Sequence, residues 1–271
     1  MRPSDVLRRA TGYLERHGVE SARETAEVLM MTVLRTDRAR LYSRSAGLSS
    51  AEARVFGRAL CQRCAGTPLQ HLTGEQPFRR ISVRVQPGVF IPRPETEALD
   101  ELGDVDDPVV VDVGTGTGAV ALAIKDERPG AKVFATDLSP EAVELARANA
   151  ARLSLQVTVM EGDLLDPLPA ELRGWVDLVV SNPPYVTEEE LQDLPAEVRA
   201  EPRLALVGGT QLYERLAIQA LRWLRDGGVL AVEIGGSPGA AVVKVLEGSY
   251  MDVRTLPDLA GRDRIVVARR P

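Results

Sequence analysis

The stretch VVVDVGTGTGAVALAIKDE, running from Val109 to Glu127, decides the fold. A valine-rich run closes on Asp112 and Val113, three glycines alternate with two threonines, and an alanine-rich segment follows. The pattern reads as strand, tight loop and helix, the opening of a βαβ unit. Glycines let the backbone turn sharply and approach a ligand, and the start of the following helix offers unpaired N–H groups. Working outward, Lys132 to Thr136 predicts a second strand, and Ser139 predicts a cap for a helix with Pro140 at its first position. Further strands fit Gln156 to Met160, Val176 to Ser181, Val229 to Ile234 and Ile265 to Ala268. Strands alternating with helices predict an α/β fold built on a doubly wound sheet. Composition agrees, since aromatics make up only 4% of a chain that is 44% hydrophobic, leaving the aliphatic core that a covered parallel sheet requires.

The residues before this domain read differently. Ser4 predicts the cap of a helix reaching about His17, with Gly18 as its stop. Ser21-Ala22-Arg23-Glu24 predicts a capping box ahead of Ala26 to Met31, and Ser49 with Glu52 predicts another, for a helix ending at Gly66. Residues 1–76 therefore read as a small helical bundle. From Phe78 to Ile91 the alternation Ile81, Val83, Val85 and the turn Gln86-Pro87-Gly88 predict a β-hairpin, a connector over residues 77–93 leading to the main domain, 94–271.

Charge divides the chain in the same region. Up to Glu97 there are 16 Arg against 10 Asp and Glu, or +6, and the remainder has 17 basic against 29 acidic residues, or −12. A basic module preceding an acidic one suits an acidic partner or a solvated helical surface. Its arginines lack the interleaved aromatics that base stacking uses, which argues against direct nucleic-acid binding. No apolar run nears the roughly 20 residues of a membrane span, and the N-terminus lacks an apolar signal core, so a cytoplasmic protein with no membrane partner is expected. Cys61 and Cys64 are the only cysteines and His17 and His71 the only histidines, so no zinc site is expected; the thiols read as a reduced pair one turn apart on a helix.

Two further motifs fall at strand ends. Asp137 closes the second strand, where a carboxylate can accept both ribose hydroxyl hydrogens of an adenosine-containing cofactor. In Gly162-Asp163-Leu164, beyond the third strand, Asp163 can meet an adenine amino group and Leu164 can cover the ring, or both can be loop chemistry. With Ala119 the glycine loop also satisfies G-x-G-x-x-G/A, so a nicotinamide oxidoreductase stays open. Ser181-Asn182-Pro183-Pro184-Tyr185 follows the fourth strand. Two prolines hold the backbone rigid and leave carbonyl oxygens without neighbouring donors. An amide NH₂ is a poor nucleophile and a sulfonium methyl a strong electrophile, so their reaction needs orientation more than a base. Asn182 Oδ1 and the Pro183 carbonyl can accept the two amide hydrogens, and Tyr185 can wall the pocket.

These residues resemble the class I methyltransferases and, within them, the HemK/PrmC family of release factor glutamine methyltransferases. Asp112 to Gly118 looks like the family's cofactor loop, and Asn182 to Tyr185 is identical to its N-P-P-Y, which adenine N6-methyltransferases share. More discriminating is Pro68-Leu69-Gln70-His71-Leu72-Thr73-Gly74-Glu75 followed by Pro87-Gly88-Val89-Phe90-Ile91-Pro92-Arg93-Pro94-Glu95-Thr96-Glu97, and the similarity continues through Glu201 to Leu206 and ends at Asp258 to Arg264. The resemblance implies S-adenosylmethionine as cofactor and, as substrate, the glutamine of the Gly-Gly-Gln motif in class 1 release factors. It places Gly114, Thr115, Gly116, Thr117, Gly118, Asp137, Leu164 and Asn182 at the cofactor, and their positions at strand ends add Asp112 and Asp163 as cofactor-binding candidates. Asn182, Pro183 and Tyr185 become the catalytic candidates, and Phe90 with Asn182 to Tyr185 the substrate-binding ones. A ribosomal-protein glutamine methyltransferase and a nucleic-acid adenine methyltransferase are the alternatives. Against the family pattern, residues 98–107 and 208–213 are short, and Leu164 stands where an aromatic can occur.

Overall fold

The computed structural model describes residues 2–98, 105–199, 201–235, 239–258 and 261–271. Residues 99–104 of the shortened segment, and Leu259 and Ala260 of the last matching string, lie outside the described residues. The chain divides into two compact units, Met1–Glu75 and Gln76–Pro271.

The first unit is helical: α1 (Pro3–Arg16), α2 (Ala22–Leu34), α3 (Arg38–Ser43), α4 (Ser50–Cys64) and α5 (Leu69–Thr73). Leu7, Leu14, Leu29, Met30, Leu41, Phe56 and Leu60 form its core. The capping box at Ser49 is present: Glu52 N–H donates to Ser49 Oγ at 3.2 Å, and Ser49 N–H to Glu52 Oε2 at 2.6 Å. The one expected at Ser21 is not, because Ser21 precedes α2 in a left-handed conformation (φ 48°) and makes no side-chain cap. Nor does Ser4 cap α1, since Pro3, whose fixed φ suits a first helical position, starts the helix earlier. The short α3 and α5 were not expected; Asp37 caps α3 by accepting from Arg40 N–H at 2.8 Å.

The hairpin of β1 (Glu75–Phe78) and β2 (Ile81–Arg84) turns at Arg79, with φ 48°, rather than at Gln86-Pro87-Gly88. The latter is a turn, with Val89 N–H donating to Gln86 O at 3.3 Å, but it follows β2 instead of joining two strands.

The second unit then runs β3 (Val109–Val113), α6 (Ala119–Glu127), β4 (Lys132–Asp137), α7 (Pro140–Leu153), β5 (Val157–Glu161) and β6 (Val176–Ser181). It continues with α8 (Ala196–Arg199), α9 (Arg203–Leu206), α10 (Thr210–Trp223), β7 (Leu224–Glu233), α11 (Gly239–Glu247), β8 (Met251–Pro257) and β9 (Asp263–Arg269). The strands form one seven-stranded sheet in the order β5-β4-β3-β6-β7-β9-β8. Neighbours from β5 through β7 pair in parallel, whereas β9 is antiparallel to both β7 and β8. Alternate residues go to opposite faces. Val111, Val113 and Val179 pack with Leu216, Ala220, Val242 and Leu246 of α10 and α11, while Val110, Leu178 and Val180 pack with Ile124, Val143 and Ala146 of α6 and α7. Burial on both faces is why these strands are continuous valine and leucine runs. Among the described residues no helix is long and apolar enough to cross a membrane.

Candidate active site

The carboxyl ends of the parallel strands open into a cavity of about 940 Å³, inside the second unit. Strand order reverses at β3, where β4 lies on one side and β6 on the other, so the loops after β3 and β6 diverge and leave a crevice between them. The loop after β3 lines it through Gly114, Thr115, Gly116 and Thr117. Gly114 and Gly116 have φ of 71° and 57°, the left-handed region that a side chain disfavours. The N–H groups of Gly114 and Thr115 donate to Thr136 O at 2.8 and 3.0 Å, folding the loop over the end of β4.

Two carboxylates hold this loop, Asp112 buried and Asp137 half-buried. Asp112 Oδ2 accepts from Thr115 Oγ1 at 2.6 Å and from Ala121 N–H at 3.2 Å. Burial pushes its pKa up to about 6 against the opposing effect of those bonds, with the nearby Asp137 adding to the rise. Asp137 accepts from Gly116 N–H at 2.8 Å and from Ser139 N–H at 2.9 Å, so each oxygen is anchored by the backbone and retains acceptor capacity toward the cavity. Burial raises its pKa as well. Ser139 Oγ accepts from Ala142 N–H at 3.2 Å, capping α7.

Gly118 is the member of the loop that does not line the cavity. A Cβ there would lie 3.1 Å from Leu122 Cδ1 and 3.2 Å from Ala146 Cβ, so its backbone serves the approach of α6 to α7. Asn149 of α7, fully buried, binds the loop to the hairpin. Its Oδ1 accepts from Arg84 N–H at 2.8 Å, and its Nδ2 donates to Arg84 O at 3.1 Å and to Thr117 O at 2.9 Å.

Past β5, Asp163 and Leu164 line the cavity. Arg215 of α10 pairs with the Asp163 carboxylate. Leu164 has φ 49°, a left-handed conformation that costs a non-glycine residue about 1–3 kcal/mol. The next residue secures it: Leu165 is fully buried and its N–H donates to Gln219 Oε1 at 3.0 Å.

Asn182, Pro183, Pro184 and Tyr185 line the same cavity after β6, as does Phe90. Asn182 Nδ2 donates to Thr96 Oγ1 at 3.0 Å, and Thr96 Oγ1 donates to Glu233 Oε2 at 2.6 Å. Glycines press on this turn from two sides. A Cβ on Gly208 would lie 2.0 Å from Pro184 O, and one on Gly235 2.4 Å from Tyr185 Cδ2. Val186 N–H donates to Leu206 O at 2.9 Å and Gly208 N–H to Val186 O at 3.1 Å, clipping the turn to the chain after α9. Burial raises the Tyr185 pKa, which keeps the phenol neutral. The Arg93 guanidinium lies 5.1 Å from the centroid of the Phe90 ring and pairs with the buried Glu201, which also accepts from Ile91 N–H at 3.3 Å.

Thr96, Arg93, Glu201 and Glu233 join the site beyond the residues expected from the sequence: Thr96, Arg93 and Glu201 belong to the strings that carry the family resemblance, and Glu233 has one local signal, an acid at the carboxyl end of a parallel strand.

The pocket chemistry fits an adenosine-bearing sulfonium. The buried Thr117 Oγ1 and Thr136 Oγ1, both on residues lining the cavity, have no hydrogen-bond partner among the described residues, which polar parts of a cofactor can supply. The glycine loop provides close backbone approach and Asp137 an acceptor pair beside it. Sheet order, antiparallel β9, loop and strand-end carboxylate together define a class I S-adenosylmethionine-dependent methyltransferase. Residues 5–74 match the PrmC N-terminal domain and residues 86–213 the methyltransferase small domain. A release factor glutamine methyltransferase of Moorella thermoacetica is 43% identical, covering 98% of this chain and 99% of its own. That of Mycolicibacterium smegmatis is 42% identical, covering 98% and 96%. The chain belongs to the release factor glutamine methyltransferase family. At the level of fold alone, the tRNA (m1A58) methyltransferase TrmI of Aquifex aeolicus superposes with a TM-score of 0.50 at 11% identity, covering 70% of this chain and 72% of its own.

Proposed function

We propose that the enzyme methylates the side-chain amide nitrogen, N5, of the glutamine in the Gly-Gly-Gln motif of class 1 release factors, in the cytoplasm. The observation that carries the reading is the commitment of Asn182 Nδ2 to Thr96, which leaves Oδ1, without a partner among the described residues, as the acceptor of a side chain at the cavity wall. Asn182 Oδ1 and the Pro183 carbonyl take the two hydrogens of the substrate amide and orient its nitrogen. S-adenosylmethionine supplies an electrophilic methyl on a sulfonium. As the nitrogen takes the methyl and the S–CH₃ bond breaks to leave a neutral thioether, the same two oxygens stabilise the positive charge gained by the nitrogen, which then sheds a proton to solvent to give a neutral N-methyl amide. Tyr185, neutral and braced against Gly235, walls the glutamine side chain, and Phe90, held by Arg93, shapes the entrance. Gly114 to Thr117, Asp137, Asp163 and Leu164 hold the cofactor, and Asp112 acts on it through the loop.

A Gly-Gly-Gln loop offers little side-chain surface, so selection of one protein needs contacts away from the pocket. The helical unit supplies them in this reading, and direct nucleic-acid binding is not part of it. Incubating the enzyme and cofactor with a release factor and a competing adenine-containing nucleic acid, followed by intact mass and peptide mapping, tests the assignment. Methylation of the glutamine is the expected result. Transfer to the nucleic acid alone would leave the amide chemistry standing and refute the substrate.

A further inference from the structure

Asn182 needs one particular orientation, because its two amide ends differ in kind: Oδ1 accepts a substrate hydrogen and Nδ2 repels it. Nothing in the shape of the side chain distinguishes them. What does so is a chain of two further side chains. Thr96, 5% exposed, comes from the 3₁₀ turn Pro94–Ala98, and Glu233, 1% exposed, ends β7; they meet across 137 residues of sequence. A hydroxyl has one hydrogen. Thr96 spends it on the Glu233 carboxylate at 2.6 Å, which leaves only lone pairs toward Asn182 and admits only the NH₂ end, at 3.0 Å.

We propose that Thr96 and Glu233 are positioning residues for methyl transfer: the ionised Glu233 carboxylate polarises the Thr96 hydroxyl and thereby turns Asn182 Oδ1 toward the substrate amide. The inference rests on the reading of Asn182 as the acceptor for that amide. Protonation of Glu233 reverses every bond in the chain. A carboxylic acid donates to Thr96 Oγ1, the Thr96 hydrogen goes to Asn182 Oδ1, and the NH₂ end is turned into the pocket against the substrate's own NH₂.

The groups around Glu233 place this reversal within reach. Burial raises its pKa to about 7, opposed by the Thr96 bond and by Arg264 and Arg93, with Glu95 raising it further. Arg264 belongs to β9, Arg93 and Glu95 flank and enter the turn that carries Thr96, and Tyr185 faces it from the turn after β6. Tyr213 of α10 donates to the Glu233 backbone carbonyl at 2.9 Å, fixing the strand end. Sign follows directly: the productive orientation is present above the Glu233 pKa and lost as pH falls through it.

The relay is testable first without substrate. In ¹H–¹⁵N spectra of the full chain, the Asn182 side-chain NH₂ signals, assigned by their loss in Asn182→Asp, should titrate near neutrality in wild type, and both Thr96→Val and Glu233→Gln should abolish that titration. Signals indifferent to pH in the wild type, or titrating unchanged in Thr96→Val, would overturn the proposal. With release factor as substrate, Thr96→Val should slow single-turnover methylation by about 10- to 100-fold, as expected of a misoriented polar contact, with cofactor affinity by calorimetry unchanged. Thr96→Ser should restore the rate, and Glu233→Gln should remove the acidic limb of the wild-type pH profile. A Thr96→Ser protein as slow as Thr96→Val would count against the hydroxyl. If wild type leaves release factor unmodified, the substrate reading fails, and the spectra still decide the relay.

Discussion

Gly208→Ala adds one methyl group where the chain after α9 meets the turn at Pro184. The new Cβ would sit 2.0 Å from Pro184 O and 2.7 Å from Pro184 C, both backbone atoms, whereas Cβ atoms are essentially never found under 3.0 Å. The turn or the strap that carries Gly208 must therefore move by about 1 Å. Rotamer adjustment offers no relief, because the crowded atoms are main chain between two prolines and Tyr185. A misplacement of about 1 Å in groups that orient a substrate costs about 10²-fold in rate, equivalent to about 2.7 kcal/mol of barrier. Overpacking of this kind costs folding about 1–3 kcal/mol, so the protein should remain folded and loaded with cofactor. Gly209→Ala is the control: nothing lies within 4 Å of its Cβ site, and its φ of −158° is ordinary extended backbone. Single-turnover methylation followed by mass spectrometry, with cofactor affinity by calorimetry, separates chemistry from binding. Equal rates for the Gly208 and Gly209 variants would refute the claim that Pro184 is held in place by the absent side chain.

Three other outcomes are expected. Asn182→Ala should lower turnover by about 10²–10³-fold with little change in denaturation midpoint, since it removes one preorganised contact at a rigid turn; normal single-turnover rates would remove Asn182 from the chemistry. Burial raises Asp112 from 3.8 to about 6, so the folded state holds that proton more tightly than the unfolded state, and the group's contribution to stability falls as pH rises between the two values. Asp112→Asn should therefore gain on wild type by about 3 kcal/mol, at most, between about pH 4 and about pH 7, read from urea curves; parallel pH dependences would contradict it. Finally, Arg54→Glu with Arg58→Glu, on an exposed part of α4, should slow kcat/KM for intact release factor more at low salt than at high salt, while leaving methylation of a Gly-Gly-Gln peptide unchanged.

The central strands were legible because burial on both faces writes itself as contiguous valine and leucine, and the loop because its glycines sit at one strand end. Ser139 announced α7 with a hydroxyl and a following proline. The edge strand β8 was missed because it is largely exposed and irregular, with Asp252 at φ 51°, so no alternation marks it. The hairpin was displaced because Pro87-Gly88 is the stronger local turn signal, whereas the chain turns on Arg79, whose left-handed backbone no side-chain preference announces. At the site, Asn182 to Tyr185 were readable since the motif is contiguous. Thr96 and Glu233 were not, because a hydrogen bond spanning 137 residues leaves no local trace. Gly118, inside the same glycine run, does not itself line the cavity and also sets the approach of α6 to α7.

Asn149 has a consequence beyond packing. One buried amide grips both the main chain of β2 at Arg84 and that of the glycine loop at Thr117. The hairpin that leads to Phe90 and the loop assigned to the cofactor therefore share a single mechanical joint, and neither can shift without straining the other. Thermodynamic linkage makes such a joint reciprocal: whatever factor cofactor occupancy contributes to docking at the hairpin, docking returns to cofactor affinity. Such reciprocity would be carried by a residue that does not itself line the cavity.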